Sequence, residues 1–154
     1  MSGLGDTAAL PRRDALAMGL GLVASVWVRP AIARETLAAA VAAFAAGAPV
    51  RAGKVTIDVA PLVENGNTVP LTVSVDSPMS ADAFVQTIAI FNELNPLADV
   101  AKFHLGPRAG RATVALRIRL ADSQKIVAVA RLADGSLWSH TVEVIVTLAG
   151  CVEN

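Results

Sequence analysis

Short runs in which every second residue is apolar recur along this chain, and that period of two constrains its fold more than any other feature. Successive side chains of a strand point to opposite faces, so such a run is a strip with one dry face and one wet face. The run over 111–120 is the cleanest: Ala112, Val114, Leu116, Ile118 and Leu120 alternate with Arg111, Thr113, Arg117 and Arg119. Residues 54–59 set Val55, Ile57 and Val59 against Thr56 and Asp58, and 68–75 place Val69, Leu71, Val73 and Val75 inward. Further runs lie at 84–91, 101–105, 124–132 and 137–148. Turn residues separate them at Glu64-Asn65-Gly66-Asn67, Asn95-Pro96, Gly106-Pro107-Arg108-Ala109-Gly110 and Asp134-Gly135. In these, Gly and Asn tolerate positive φ and Pro interrupts a ladder. About seven short strands at a spacing of roughly 8–12 residues predict an all-β fold, an immunoglobulin-like antiparallel β-sandwich.

One segment has a different period. Over 34–46, Leu37, Val41 and Phe44 share a helical face among alanines, Gly47 can end the helix and Pro49 forbids its continuation. This predicts a short N-terminal helix covering one end of the core. Two strands also break the alternation. Residues 84–91 carry Phe84, Ile88 and Ile90 on one face but Val85, Ala89 and Phe91 on the other, and 126–130 is apolar throughout. A half-solvated strand does not look like this. The second faces need a cover, either the helix or a partner protein, and the expectation is a partner.

The N-terminus belongs to targeting rather than to the fold. Arg12-Arg13 precedes an apolar run over 15–28, about 14 residues against the roughly 20 that a membrane-spanning helix needs. Ala31-Ile32-Ala33 then offers the small side chains a signal peptidase accepts. The arginine pair predicts a cleaved twin-arginine signal over 1–33, with a Sec signal or a retained anchor as the alternatives. Cleavage leaves about 120 residues, one domain over 34–148 and a terminal arm over 149–154, exported to the periplasm and without a membrane segment. With 54% hydrophobic residues, zero formal net charge and no basic run, the chain is neither disordered nor built for nucleic acid.

In an oxidising compartment cysteines are usually paired, and this chain has a single one, Cys151. It cannot form an internal disulfide, and chain ends are commonly exposed. A reactive thiol or an intermolecular link is therefore expected. The prenylation-like position fourth from the end is discounted, because Glu153 stands where that signal wants an aliphatic residue. His104 and His140 have no metal-ligand spacing, and no nucleophile elbow, phosphate loop or dinucleotide fingerprint is present. Arg108 and Arg111 read as solvated hairpin residues. A Cys-His-Asn group stays open at this point.

Several motifs together resemble the SoxY sulfur-carrier family. They are Val63-Glu64-Asn65-Gly66, Asn95-Pro96, Phe103-His104-Leu105-Gly106-Pro107-Arg108, Asp134-Gly135-Ser136-Leu137-Trp138 and the ending Val146-Thr147-Leu148-Ala149-Gly150-Cys151. The resemblance implies a carrier that is not itself an enzyme, holds sulfur intermediates covalently on Cys151, and needs no cofactor. It also implies a SoxZ-like β-sandwich partner and sulfur-oxidising enzymes that load and process the carrier in periplasmic, thiosulfate-type oxidation. A strand ending near Leu148 would leave an arm of about three to six residues, reaching about 10–20 Å. The arm departs from the family's usual Gly-Gly-Cys-Gly-Gly, since Ala149 and Gly150 precede Cys151 while Val152 and Glu153 follow it. It is closer to a related subgroup whose arm reads Ala-Ala-Cys-Ile-Glu. The other readings are a structural or adhesion sandwich cross-linked through its lone cysteine, and a thiol enzyme.

N-terminal sequencing of the exported protein is expected to begin at Arg34. Replacing Arg12 and Arg13 by lysine is expected to hold the precursor in the cytoplasm, and export that survives this change would indicate a Sec route.

Overall fold

The computed structural model describes residues 35–150. Residues 1–33, expected to be a targeting segment with Arg12 and Arg13, and Cys151, Val152 and Glu153 at the other end lie outside the described residues.

Two sheets face each other across an apolar core. The larger runs in the order β1 (Val50–Ala52), β9 (Leu137–Val146), β8 (Gln124–Leu132), β5 (Val85–Asn92) and β6 (Asp99–His104), with β3 (Leu62–Val63) also paired to β9. The smaller is β2 (Val55–Asp58), β4 (Val69–Val75) and β7 (Ala112–Ile118). This is the expected immunoglobulin-like sandwich. The inner faces are those the alternation marks: Val55 and Ile57, Val69, Leu71, Val73 and Val75 pack on Ile88 and Ile90, Ile126, Ala128 and Ala130, Val144 and Val146. On β7, Ala112 and Ile118 are buried while Thr113 and Arg117 are exposed.

Strands β1 and β3 were not expected, because two or three residues carry no legible period. Both run parallel to β9 along one edge, β1 beside Leu137, Trp138 and Ser139 and β3 beside Ile145 and Val146. They shield part of an edge that would otherwise offer unpaired backbone groups. His140 lies in the gap between them, and its Nδ1 accepts the Ile57 N–H at 3.0 Å. Since Ile57 belongs to the smaller sheet, this side chain ties the two sheets together where neither is closed by a ladder.

The helix corrects two expectations. Helix α1 (Leu37–Ala45) starts at Thr36, whose Oγ1 accepts the Ala39 N–H at 3.2 Å, and stops at Ala46, which turns left-handed at φ 51°. Nine residues are too few to hold a helix in water by propensity, so packing must hold it. It covers the outer face of the larger sheet rather than one end of the core. Leu37, Val41 and Phe44 pack with the buried Ala89, Phe91, Val127, Val129 and Leu137. The Phe44 and Phe91 rings meet edge to face, with centroids 6.0 Å apart. Arg131 donates to the Phe44 carbonyl at 2.5 Å and lays its guanidinium over the Phe44 ring, fixing the last helical turn. The second apolar faces of β5 and β8 are thus covered from within the chain, and the partner expected there is not needed to bury them. A register shift between Val85 and Thr87 also turns Val85 into the main core with Ile88, where strict alternation had placed it outward.

Because Phe91 is buried between helix and sheet in the chain itself, Phe91→Ala is expected to destabilise the isolated protein by about 3–5 kcal/mol. Urea unfolding of the purified chain checks this; a loss seen only in a complex would mean that the face is covered by a partner after all.

Candidate functional site

The segment leading to Cys151 is held by main-chain hydrogen bonds past the end of β9. Thr147 and Leu148 donate to the carbonyls of Val63 (3.0 Å) and Glu64 (3.2 Å), which continues the β3 pairing. The Leu148 carbonyl then accepts the Gly66 N–H at 2.8 Å. Ala149 is exposed, but Gly150 is buried and donates to the Leu120 carbonyl at 2.9 Å. Leu120 closes the figure by donating to the Gly66 carbonyl at 2.8 Å. Gly66, Leu120 and Gly150 therefore form one main-chain junction, and Cys151 is the next residue after it.

Two of its three members have no side chain for a steric reason. A Cβ on Gly66 would stand 2.4 Å from the Leu120 carbonyl oxygen and 2.7 Å from the Gly150 nitrogen. A Cβ on Gly150 would stand 2.7 Å from the Leu120 oxygen and 2.8 Å from the Gly66 oxygen. The obstructing atoms are backbone, which cannot swing aside as a side chain can. Here glycine permits close approach of chains, a use distinct from loop flexibility.

The surrounding turns brace this junction. Asn65 Oδ1 accepts the Asn67 N–H at 2.9 Å and shapes the turn that presents Gly66. Asn95 brackets Leu120: its Nδ2 donates to the Arg119 carbonyl at 2.7 Å and its Oδ1 accepts the Ala121 N–H at 3.0 Å. The same Oδ1 accepts from Gln124 Nε2, whose Oε1 takes the Leu94 N–H. Ser123 Oγ accepts the Val146 N–H at 2.9 Å. Three motifs far apart in sequence, Glu64-Asn65-Gly66, Asn95-Pro96 and Ala149-Gly150, thus meet where the terminal segment leaves the sandwich. Around this root Leu62 (57% exposed), Ile145 (55%) and Leu148 (67%) lie open to solvent.

The remaining candidate residues are placed elsewhere. Trp138 stands at the start of β9, roughly 26 Å along the strand from its end. It is flanked by Arg51 and Lys54, and its Nε1–H donates to Ser136 Oγ. The Ser136 hydroxyl and N–H both donate to Asp134, which holds that carboxyl below its usual value. His104 ends β6 opposite Thr87, whose hydroxyl meets its Nδ1 at 3.2 Å. These are structural uses at the sandwich end remote from Asn95. Arg108, within a single 3-10 turn (Pro107–Ala109), and Arg111, just after it, are exposed as expected. Among the described residues no cluster of His, Asp and Glu could hold a metal, and no helix is long and apolar enough to cross a membrane. A groove of about 1040 Å³ runs beside α1 between Leu37, Val41 and Val127. None of Leu62, Gly66, Leu120, Ile145 or Gly150 lines it.

A family model described as sulfur oxidation protein SoxY matches residues 40–151. Among solved structures, the sulfur carrier protein SoxY from Chlorobium limicola f thiosulfatophilum is 32% identical, over 73% of this chain and 97% of that one, with a TM-score of 0.62. Superoxide reductase (neelaredoxin) from Ignicoccus hospitalis is 19% identical over 61% of this chain and 80% of its own, with a TM-score of 0.54. Superoxide reductase from Nanoarchaeum equitans is 12% identical over 62% of this chain and 100% of its own, with a TM-score of 0.53. The two reductases share the fold alone. Among curated proteins no sequence matches.

Asn95→Ala removes the acceptor and the donor that bracket Leu120, and is expected to cost about 1–3 kcal/mol locally. Amide hydrogen exchange should show faster exchange at Leu120, Ala121 and Gly150, with the β5–β8 ladder unaffected.

Proposed function

The chain belongs to the SoxY family, and on that premise we propose that it carries sulfur intermediates covalently on Cys151 during sulfur oxidation. One observation carries this reading: the chain's single cysteine directly follows the main-chain junction at the sandwich's end, and the family match runs through it. A terminal thiol next to a fixed root can be offered to other proteins without unfolding the domain that bears it.

A sulfur–sulfur bond forms and breaks at a thiolate, so one cysteine is a reversible handle. Loading with thiosulfate joins the Cys151 sulfur to the outer sulfur of the anion. It leaves a protein thiosulfonate and releases two electrons to an acceptor on the loading enzyme. Hydrolysis of the terminal sulfonate as sulfate then leaves a persulfide on the carrier. Only a few per cent of an ordinary thiol with pKa near 8.5 is ionised at neutral pH, so activation falls to the enzymes, and the carrier is not a catalyst. Val152 and Glu153 make the terminus bulkier and more negative than a glycine arm. This selects for enzymes with a wider and less anion-repelling cleft.

The compartment is the periplasm, reached through the segment 1–33. The stable partner is a SoxZ-like β-sandwich, and the loading enzymes meet the chain at the root. The exposed Leu62, Ile145 and Leu148 supply apolar contact there.

Mass spectrometry of protein from cells oxidising sulfur compounds is expected to find added sulfur, or sulfur plus sulfonate, that a reductant removes. Cys151→Ser should abolish the adducts and leave the unfolding transition unchanged. Unmodified thiol, or a disulfide-linked dimer alone, would favour the cross-linked structural sandwich instead.

A further inference from the structure

We infer that Gly150 is an anchor and not a hinge: with Gly66 and Leu120 it forms a latch that fixes where the thiol leaves the sandwich, so that enzymes work on Cys151 at the sandwich's end. The inference rests on Cys151 being the loaded group. It deepens that reading by assigning positioning roles to residues that never touch the sulfur.

Three observations converge. First, the junction has no space for a side chain: ideal Cβ atoms on Gly66 and Gly150 fall 2.4 to 2.8 Å from main-chain oxygens. A glycine kept for flexibility needs no such fit. Second, the hydrogen bonds form a closed set, running from Gly150 to Leu120, from Leu120 to Gly66 and from Gly66 to Leu148. Displacing Gly150 breaks a bond of its own and also exposes the carbonyl of a residue that is itself fully buried. Third, Leu120 is not free to follow a moving terminus, because Asn95 holds Arg119 and Ala121 on either side of it.

The consequence is one of reach. Consecutive Cα atoms lie about 3.8 Å apart, so while Gly150 stays docked on Leu120 the chain can carry residue 151 no further than that from the docking point. Were the chain free from the end of β9 onward, residues 147–150 would add about 13–14 Å of travel. The latch removes that travel. A partner must therefore bring its cleft to the root, where Leu62, Ile145 and Leu148 are exposed. It then meets a chain whose freedom begins only after Gly150, instead of one free from the end of β9.

The test uses the mature protein with whatever partner co-purifies. Amide exchange is measured at residue 150, and loading of thiosulfate by the cognate enzymes is measured on three forms: wild type, Gly150→Ala, and a Gly-Gly insertion between Gly150 and Cys151. The Gly150 amide is expected to be protected at least tenfold in wild type and in the insertion. In Gly150→Ala the amide at that position should lose its protection with the circular dichroism unchanged. Loading efficiency, kcat/KM, should fall about tenfold in both variants, in the insertion despite an intact latch. The insertion keeps the idea falsifiable if Gly150→Ala fails to fold. An unprotected Gly150 amide overturns the latch, and so does loading indifferent to the variants that fold. If no form acquires sulfur on Cys151, the carrier reading falls, while the exchange data still decide whether the latch exists.

Discussion

Strands β5 and β8 are apolar on both faces, and a sheet with two dry faces has to be covered twice. The smaller sheet covers one side with β4 and β2, and α1 covers the other. Much else depends on this double burial. It explains why a nine-residue helix persists, since Ala40 and Ala45 are buried, and Leu37 and Phe44 half-buried, only against Phe91, Val127 and Val129. It explains why Arg131 turns its charge onto the Phe44 carbonyl in the helix's last turn and the Phe44 ring, where it satisfies a group that the helix leaves unpaired. It also gives a rigid central layer from which β9, paired to β8 along its length, can carry two different ends.

Those ends are put to different uses. At the start of β9, Trp138 lies between Arg51 and Lys54 beside a turn tightened by Asp134 and Ser136. At the far end β9 runs on as a tethered tail that pairs with residues 63 and 64 and then docks on Leu120. Midway, His140 bridges to Ile57 of the other sheet. A backbone N–H can only donate, so Nδ1 must keep its lone pair there. The histidine serves the edge of the sandwich.

The junction at the root gives glycine a second meaning in a carrier of this family. Next to a thiol, glycines suggest a thin and mobile tether, and Val152 and Glu153 fit that picture poorly. Main chain packed on main chain is a different reason for glycine, and at Gly66 and Gly150 the short distances to backbone atoms identify it.

Alternation is a local property, imposed by the geometry of a single extended chain, so the sequence by itself determined the longer strands, their inner faces apart from Val85, and the sandwich class. It also determined that the chain has a single cysteine, because a count needs no folding to be true. The same local reading marked Asn65-Gly66 and Asn95-Pro96 as turns, which they are, without indicating what the turns are for. Only the tertiary structure decided that α1 and not a partner covers β5 and β8, because covering a face depends on where a helix can travel. Only it decided that two- and three-residue strands add to β9, because such segments gain their hydrogen bonds from a neighbour and not from a pattern. And only it could bring Gly66, Asn95, Leu120 and Gly150 together. An absent side chain leaves no period in a sequence, and the closeness of two backbones becomes visible only when both are in place.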